Sequence, residues 1–334
     1  MEKHADYPMW SALLRWSLKQ QDGTSEGAKA LSEADRRFLE GVIKDVTVDE
    51  ATKVGELLKS IDEGDDDGAL GELEELVERL DFARDLCKIG GMQVLLKAVG
   101  RGSREACSVV ATAAQNDVVV QEAIFREDGL RILVEAFDKA PSREALAAMS
   151  ALVRGGGKYE TDFVESGTAA YVLATALKPS SNTRLAAKGA FFLYTLLYDD
   201  DEKEKEDEDE KEEDEEKGEA SSSSSKAQIV EHLEPALRAA VQRSTEPPPL
   251  DDDNNHTAVW QLRESATKAI VYANKANPNW LKANLGVAIQ QAAKHTFATT
   301  TTTGADLDHL SDLVALWRDN ILWLEDDLAA ASST

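Results

Sequence analysis

The sequence predicts an all-α fold: a right-handed superhelical solenoid of three-helix repeats. Three observations carry that expectation. Alanine and leucine are plentiful while aromatic residues make up 6% of the 334 positions, a composition suited to close helix packing rather than to strands. A glycine recurs at a fixed interval: Gly91 in GGMQVLLKAV, Gly129 in DGLRILVEAF and Gly167 in SGTAAYVLATAL stand 38 residues apart. That spacing is close to the roughly 40-residue period of helical solenoids. A second signature follows each glycine-led segment, as SREACSVVATAAQN, SREALAAMSALVRG and NTRLAAKGAFFLYTLL.

The elements follow in order. WSALLRWSLKQ reads as a short amphipathic helix that DGTSEG ends. LSEADRRFLEGVIKD opens on Ser32 in a capping-box-like setting, TVDEATKVGELLKSI is another helix, and ELEELVERL leads into the first repeat. After the first two glycines, apolar residues fall at i, i+3, i+4 and i+7: Met92, Leu95, Leu96 and Val99, then Leu130, Leu133, Val134 and Phe137. The third copy starts slightly later, with Ala170, Leu173 and Leu177. Counted from Arg104, Arg143 and Arg184, the next helices place apolar residues at +2, +5, +6 and +9, which cluster on one helical face. These are Ala106, Val109, Val110 and Ala113; Ala145, Ala148, Met149 and Leu152; Ala186, Gly189, Ala190 and Leu193. DFARDLCKI, VQEAIFRE and ETDFVES supply a smaller helix ahead of each glycine. Three helices in about 40 residues, with a glycine at the tight turn before the second, describe an armadillo-like repeat.

A divergent copy is read after residue 226. AQIVEHLEPALRAAV resembles a second helix, STEPPPLDDDNNH is loop chemistry, and LRESATKAIVYANKANPNW restarts the Arg-Glu pattern at Arg263. DLDHLSDLVALWRDNILWLEDD is a C-terminal capping helix. Residues 199–219 hold sixteen acidic residues and four lysines, with five serines close behind, the composition of a disordered insertion. The expected organisation is therefore an N-terminal helical segment, partly flexible, over 1–68, core repeats over 69–198, the insertion over 199–225, and a divergent repeat with capping helices over 226–334.

A formal net charge of −26 argues against nucleic acid and anionic membranes as partners. No apolar run approaches the roughly 18–20 residues needed to span a bilayer. MEKHADYPMW lacks the features of a secretory signal, so the cytoplasm is the expected compartment, with the nucleus as a second. Cys87 and Cys107 lie in helical patterns without CxxC spacing and read as buried thiols rather than nucleophiles. EGDDDGALGELE puts Asp65, Asp67, Gly68 and Glu74 at calcium-loop positions. It begins with Glu63, however, and has no partner hand, so it reads as an acidic inter-helix loop. RGGGKYE lacks the ending of a phosphate loop and reads as a turn. The histidines are scattered. No metal, cofactor or catalytic residue is expected, the chain is not read as an enzyme, and a monomer is expected.

LLRWSLKQQDGT, LSEADRRFLE, TVDEATKV, ELEELVERLDFARDLCKIGGMQVLL and TAAQNDVVVQE follow one another in an order that resembles a known family. It is the cytosolic armadillo-type nucleotide exchange factors of the seventy-kilodalton heat-shock chaperones, the heat-shock-protein-binding-protein-one and Fes-one group. The resemblance covers about residues 10–200 and is thin after 226, apart from LSDLVALWRD. The acidic insertion and the threonine run at 299–303 depart from the family pattern. The resemblance implies a co-chaperone whose concave face wraps one lobe of the chaperone's ATPase domain, opens the nucleotide cleft and speeds ADP release, so that substrate is let go. It implies that a basic residue aligned with Lys188 belongs to the interacting surface. It also implies a substrate-release role for an N-terminal segment that competes for the chaperone's peptide site, to which Leu13, Leu14, Trp16 and Leu18 are suited. Ordinary packing against the first repeat is the alternative for that segment.

The repeat register independently places the partner face. Positions +4, +8 and +11 project opposite the core: Ser108, Thr112 and Gln115; Ala147, Ala151 and Arg154; Lys188, Phe192 and Thr195. Small residues in the first two repeats admit a bulky partner, and Arg154 and Lys188 are placed to pair with its carboxylates. A generic armadillo adaptor is an alternative, but its asparagine ladder is missing, since the +12 positions are Asn116, Gly155 and Leu196. An acidic histone-binding chaperone is a second alternative, and a hydrolase without a local motif a remote third.

Overall fold

The computed structural model describes residues 32–64, 68–115, 117–154, 157–198, 219–244, 253–300 and, near the C-terminus, 312–313, 315–317 and 320–321. The chain divides into two compact units, Met1–Ala69 and Leu70–Thr334. In the first, α1 runs unbroken over Glu33–Glu63, starting directly after Ser32. The two helices expected there are one. The junction, KDVTVDE, carries β-branched residues that lower helix propensity, yet no proline stands there to stop the ladder.

The second unit is all-helical among its described residues. It opens with α2 (Ala69–Val77) and continues as triplets. The first is α3 (Leu80–Lys88), α4 (Gly91–Gly100) and α5 (Arg104–Ala114). The second is α6 (Val118–Arg126), α7 (Gly129–Lys139) and α8 (Arg143–Val153). The third is α9 (Lys158–Glu165), α10 (Thr168–Ala176) and α11 (Thr183–Leu197). All the expected core positions of α4, α5 and α8 are buried, as are Leu133 and Phe137 of α7 and Ala186, Ala190 and Leu193 of α11. Third helices stack on third helices, α5 on α8 and α8 on α11, and α4 packs on α7. Each repeat thus buries its apolar face against the next, as a solenoid requires.

The turn ahead of each second helix uses left-handed backbone at Gly90 (φ 80), Asp128 (φ 62) and Gly167 (φ 77). Gly91 and Gly129 are not those turn residues. They open α4 and α7, where a Cβ would collide with Leu86 or Ile124, so they serve close packing onto the preceding helix. Gly167 is therefore the counterpart of Gly90 and Asp128, and the third repeat is offset by one residue from the glycine alignment. That offset is why its apolar pattern begins late.

The break in TAAQNDVVVQE has a specific chemistry. Asp117, 1% exposed, accepts from Val119 N at 3.0 Å and Val120 N at 3.4 Å and so caps α6. Its other oxygen receives Arg84 Nε of α3 at 2.7 Å. Gln121 Nε2 reaches three carbonyls at the ends of two third helices: Ala114 O at 3.1 Å, Ala151 O at 2.9 Å and Arg154 O at 3.3 Å. One short motif therefore caps a helix, ties two first helices together and tethers the C-terminal ends of α5 and α8.

The region after 218 departs from the expected layout. Helix α12 (Glu219–His232) takes in the serine run that was expected to be part of the insertion, and α13 (Glu234–Ser244) follows it. The single helix read through AQIVEHLEPALRAAV is thus two. Pro235 explains the division: it is tolerated in a first turn but cannot continue a helix. Helix α14 (Asp253–Ala276) absorbs DNNH, expected as loop, and puts Arg263 mid-helix and 7% exposed rather than at a helix start. It packs along α11 as a fourth third-helix. Arg243 of α13 donates to Pro179 O at 3.0 Å and Ser181 O at 3.3 Å, which fixes α13 against the turn before α11. Helix α15 (Pro278–Thr300) follows. Of the expected capping segment, Leu313, Trp317 and Ile321 are buried, and Asn274 of α14 donates to Asn320 O at 3.2 Å.

Candidate functional site

The stacked third helices line two joined grooves. The smaller, about 260 Å³, collects seven of the nine residues expected from the register: Ser108, Thr112, Gln115, Ala147, Ala151, Arg154 and Lys188. The larger, about 700 Å³, lies between α8, α11 and α14 and shares Ala147 and Lys188 with it. Its wall carries Arg143, Arg184, Phe191, Tyr194 and Lys268.

Phe192 and Thr195 do not belong to this face. Phe192 is fully buried and stacks on Phe163 with ring centroids 5.9 Å apart. Thr195 turns its hydroxyl to Phe192 O at 2.8 Å and lines neither groove. The N-caps give the reason. Ser103, Ser142 and Asn182 each accept from a backbone N–H of the helix that follows, at 3.1, 3.1 and 2.8 Å. Position zero is therefore Arg104, Arg143 and Thr183, and counting from Arg184 rotates the third helix by one residue, about 100°. The corrected +8 and +11 positions are Phe191 and Tyr194, and both line the larger groove. The cap residues in the sequence carried this signal; the repeated arginine was the wrong anchor. Leu196, weighed as a ladder position, is 1% exposed and belongs to the core.

The rotation also explains Lys188. It falls at +5, a core position in the other repeats, and is only half-buried. Its ammonium is held below the usual lysine range, first by burial and then by the like charges of Arg154 and Arg143. Among the described residues neither Lys188 nor Arg154 has a carboxylate partner; Lys188 Nζ instead lies 5.8 Å from the centre of the Phe191 ring. Arg143 reaches Glu144 at 3.5 Å, and Lys268 pairs with Glu264 at 2.6 Å while standing 5.9 Å from the Tyr194 ring centre. At the other end, Glu74 of α2 accepts from Ser108 Oγ at 2.6 Å and Thr112 Oγ1 at 3.3 Å. The face is therefore acidic at its first repeat and basic from the second onward. Glu74 was missed because it precedes the first repeat, and the residues of α14 because the Arg-Glu pattern read at Arg263 falls mid-helix rather than at a helix start.

The expected N-terminal residues Leu13, Leu14, Trp16 and Leu18 lie outside the described residues, as do Asp65 and Asp67. Among the described residues no three His, Cys, Asp or Glu side chains gather as a metal site, and no helix is long and apolar enough to cross a membrane. Cys107 is 3% exposed with its thiol pushed up to about 11, chiefly by burial.

No family model matches the chain. It is 32% identical over 152 residues to Hsp70-binding protein 1 of Homo sapiens, and likewise to that of Rattus norvegicus. The match covers 43% of this chain and 42% of each of those proteins, so the chain is matched over less than half of their length. Among solved structures, it is similar to a designed armadillo repeat protein in complex with peptide (KR)4, with TM-score 0.53 and 17% identity. That similarity covers 81% of this chain and 98% of the other. A second designed armadillo repeat protein gives TM-score 0.52 at 16% identity over the same shares. The fold is an armadillo-type α-solenoid.

Proposed function

We propose that this chain is a co-chaperone that binds the ATPase domain of a seventy-kilodalton heat-shock chaperone through the joined grooves and accelerates ADP release. The observation that carries the proposal is the groove itself. Seven residues placed on the partner face by the repeat register come together there, and two of them, Lys188 and Arg154, have no carboxylate partner among the described residues and stand ready for one. The similarity to Hsp70-binding protein 1 over part of the chain supports the choice of partner.

The action proposed needs no chemistry from this chain. A solenoid held rigid by stacked third helices grips one lobe of the ATPase domain, and its bulk is compatible only with an opened nucleotide cleft. Because binding and ADP affinity are linked, a chain that weakens ADP binding by some factor is itself bound less tightly by that factor when ADP is present. The test is stopped-flow release of a fluorescent ADP analogue from a purified cytosolic chaperone, with and without the chain and with Lys188→Glu. Faster release with the wild type, lost in a folded variant, is expected. Failure of the wild type either to speed release or to bind the ATPase domain would refute the proposal.

A further inference from the structure

The larger groove has a chemistry that the register did not anticipate. Phe191, 39% exposed, and Tyr194 present ring surface to it, with centroids 6.1 Å apart. Among the described residues lining it, Arg143, Arg184, Lys188 and Lys268 stand around them against one acidic residue, Glu264, which is already paired with Lys268. This concentration of cations occurs in a chain of net charge −26. Both lysines lie near aromatic rings, and Lys188, unlike Lys268, has no carboxylate partner among the described residues, so its half-buried charge is oriented without being neutralised. A basic ligand would meet like charge here, and a purely apolar one would bury Lys188 without a counter-charge.

We infer that the groove between α8, α11 and α14 receives an acidic peptide segment carrying one apolar side chain. The apolar side chain sits against Phe191 and Tyr194, and flanking carboxylates meet Lys188 and Arg143. A volume of about 700 Å³ accommodates several side chains of such a segment. The assignment of that segment to the chaperone rests on the function proposed above; the groove's preference for acidic peptide does not.

The experiment uses the full chain and a fluorescein-labelled probe, Gly-Asp-Glu-Leu-Glu-Asp-Gly, read by anisotropy at low and high ionic strength. Saturable binding that weakens with salt is expected, with no binding of Gly-Lys-Arg-Leu-Arg-Lys-Gly. Arg143→Glu and Phe191→Ala should each weaken the probe by about tenfold or more, the scale of one lost charge-assisted or aromatic contact. Phe191→Leu should restore most of the loss. Equal affinity for the basic peptide or for a single-stranded oligonucleotide, or no effect of either variant, would overturn the inference. So would binding that appears only after residues 200–217 are removed, because the chain's own acidic run would then be the occupant. ADP release measured on the same samples separates the two readings. Probe binding without acceleration supports this inference and removes the exchange function; acceleration without probe binding does the reverse.

Discussion

Phe191 and Phe192 are neighbours in sequence with opposite fates, and truncating each to alanine separates them. Phe192 is fully buried against Phe163, so Phe192→Ala loses the transfer energy of the ring and leaves an enclosed cavity. That costs ~3–5 kcal/mol. Phe191 is 39% exposed, so about three-fifths of its area is at stake and no closed cavity forms. Scaling the ~1.5–3 kcal/mol of full burial by that fraction gives ~1–2 kcal/mol, including the loose contact with Lys188. Urea unfolding followed by circular dichroism measures both, with the midpoint shift of Phe192→Ala roughly two to three times that of Phe191→Ala if the slope is unchanged. Binding should invert the order: Phe191→Ala impairs the groove at little cost to the fold, while any Phe192→Ala protein that remains folded binds nearly as the wild type. Equal destabilisation by the two, or a stable Phe192→Ala protein that no longer binds, would refute the corrected register.

Three further perturbations follow. Lys188→Met should raise the urea midpoint at neutral pH, because folding holds the ammonium below its usual value near 10.5 and so works against its protonation. The gain is full below the folded value and should shrink as pH rises to 10.5, so a gain that grows with pH would contradict it. Asp117→Ala removes the α6 cap and the bond from Arg84 and should cost ~2–4 kcal/mol; Asp117→Asn keeps an N-cap acceptor and should recover ~1 kcal/mol of that. Thermal melts of the two variants and of Arg84→Ala check the ranking. Cys107 should resist iodoacetamide at pH 8 in the folded chain and react in urea, as mass spectrometry would show. Its raised thiol contributes stability that is full below about pH 9 and lost as pH climbs to about 11.

Much of this molecule can be read from its residues, and the failures share a cause. Periodicity finds faces, so the buried positions of α4, α5 and α8 follow from apolar spacing alone. What periodicity lacks is an origin. Aligning on Gly91, Gly129 and Gly167 conflates a packing glycine with a turn glycine, and anchoring on Arg184 instead of Asn182 turns α11 by one residue. The first error only delays a pattern; the second exchanges Phe192 for Phe191. Caps are better anchors, because a side-chain oxygen on a backbone N–H fixes the first turn to one position. After residue 226 the repeated Arg-Glu signature survives only at Arg263, which stands mid-helix and marks no helix start, and the local signal of Pro235 outweighs the longer apolar pattern around it.

The one-residue offset also bears on why the groove is where it is. In the first two repeats, the +5 position holds Val109 and Ala148, both fully buried; in the third it holds Lys188. A lysine in a core register lowers the stability of the free protein, the more so beside Arg143 and Arg154. That cost is offset only when an anion arrives, and a partner carboxylate would supply it along with hydrogen bonds from a cation already partly desolvated. The free chain and the occupied chain should therefore respond to Lys188 in opposite senses: removing it stabilises the first and weakens the second. Such an opposition is the mark of a residue kept for binding rather than for folding, and no ordinary exposed position on the solenoid would produce it.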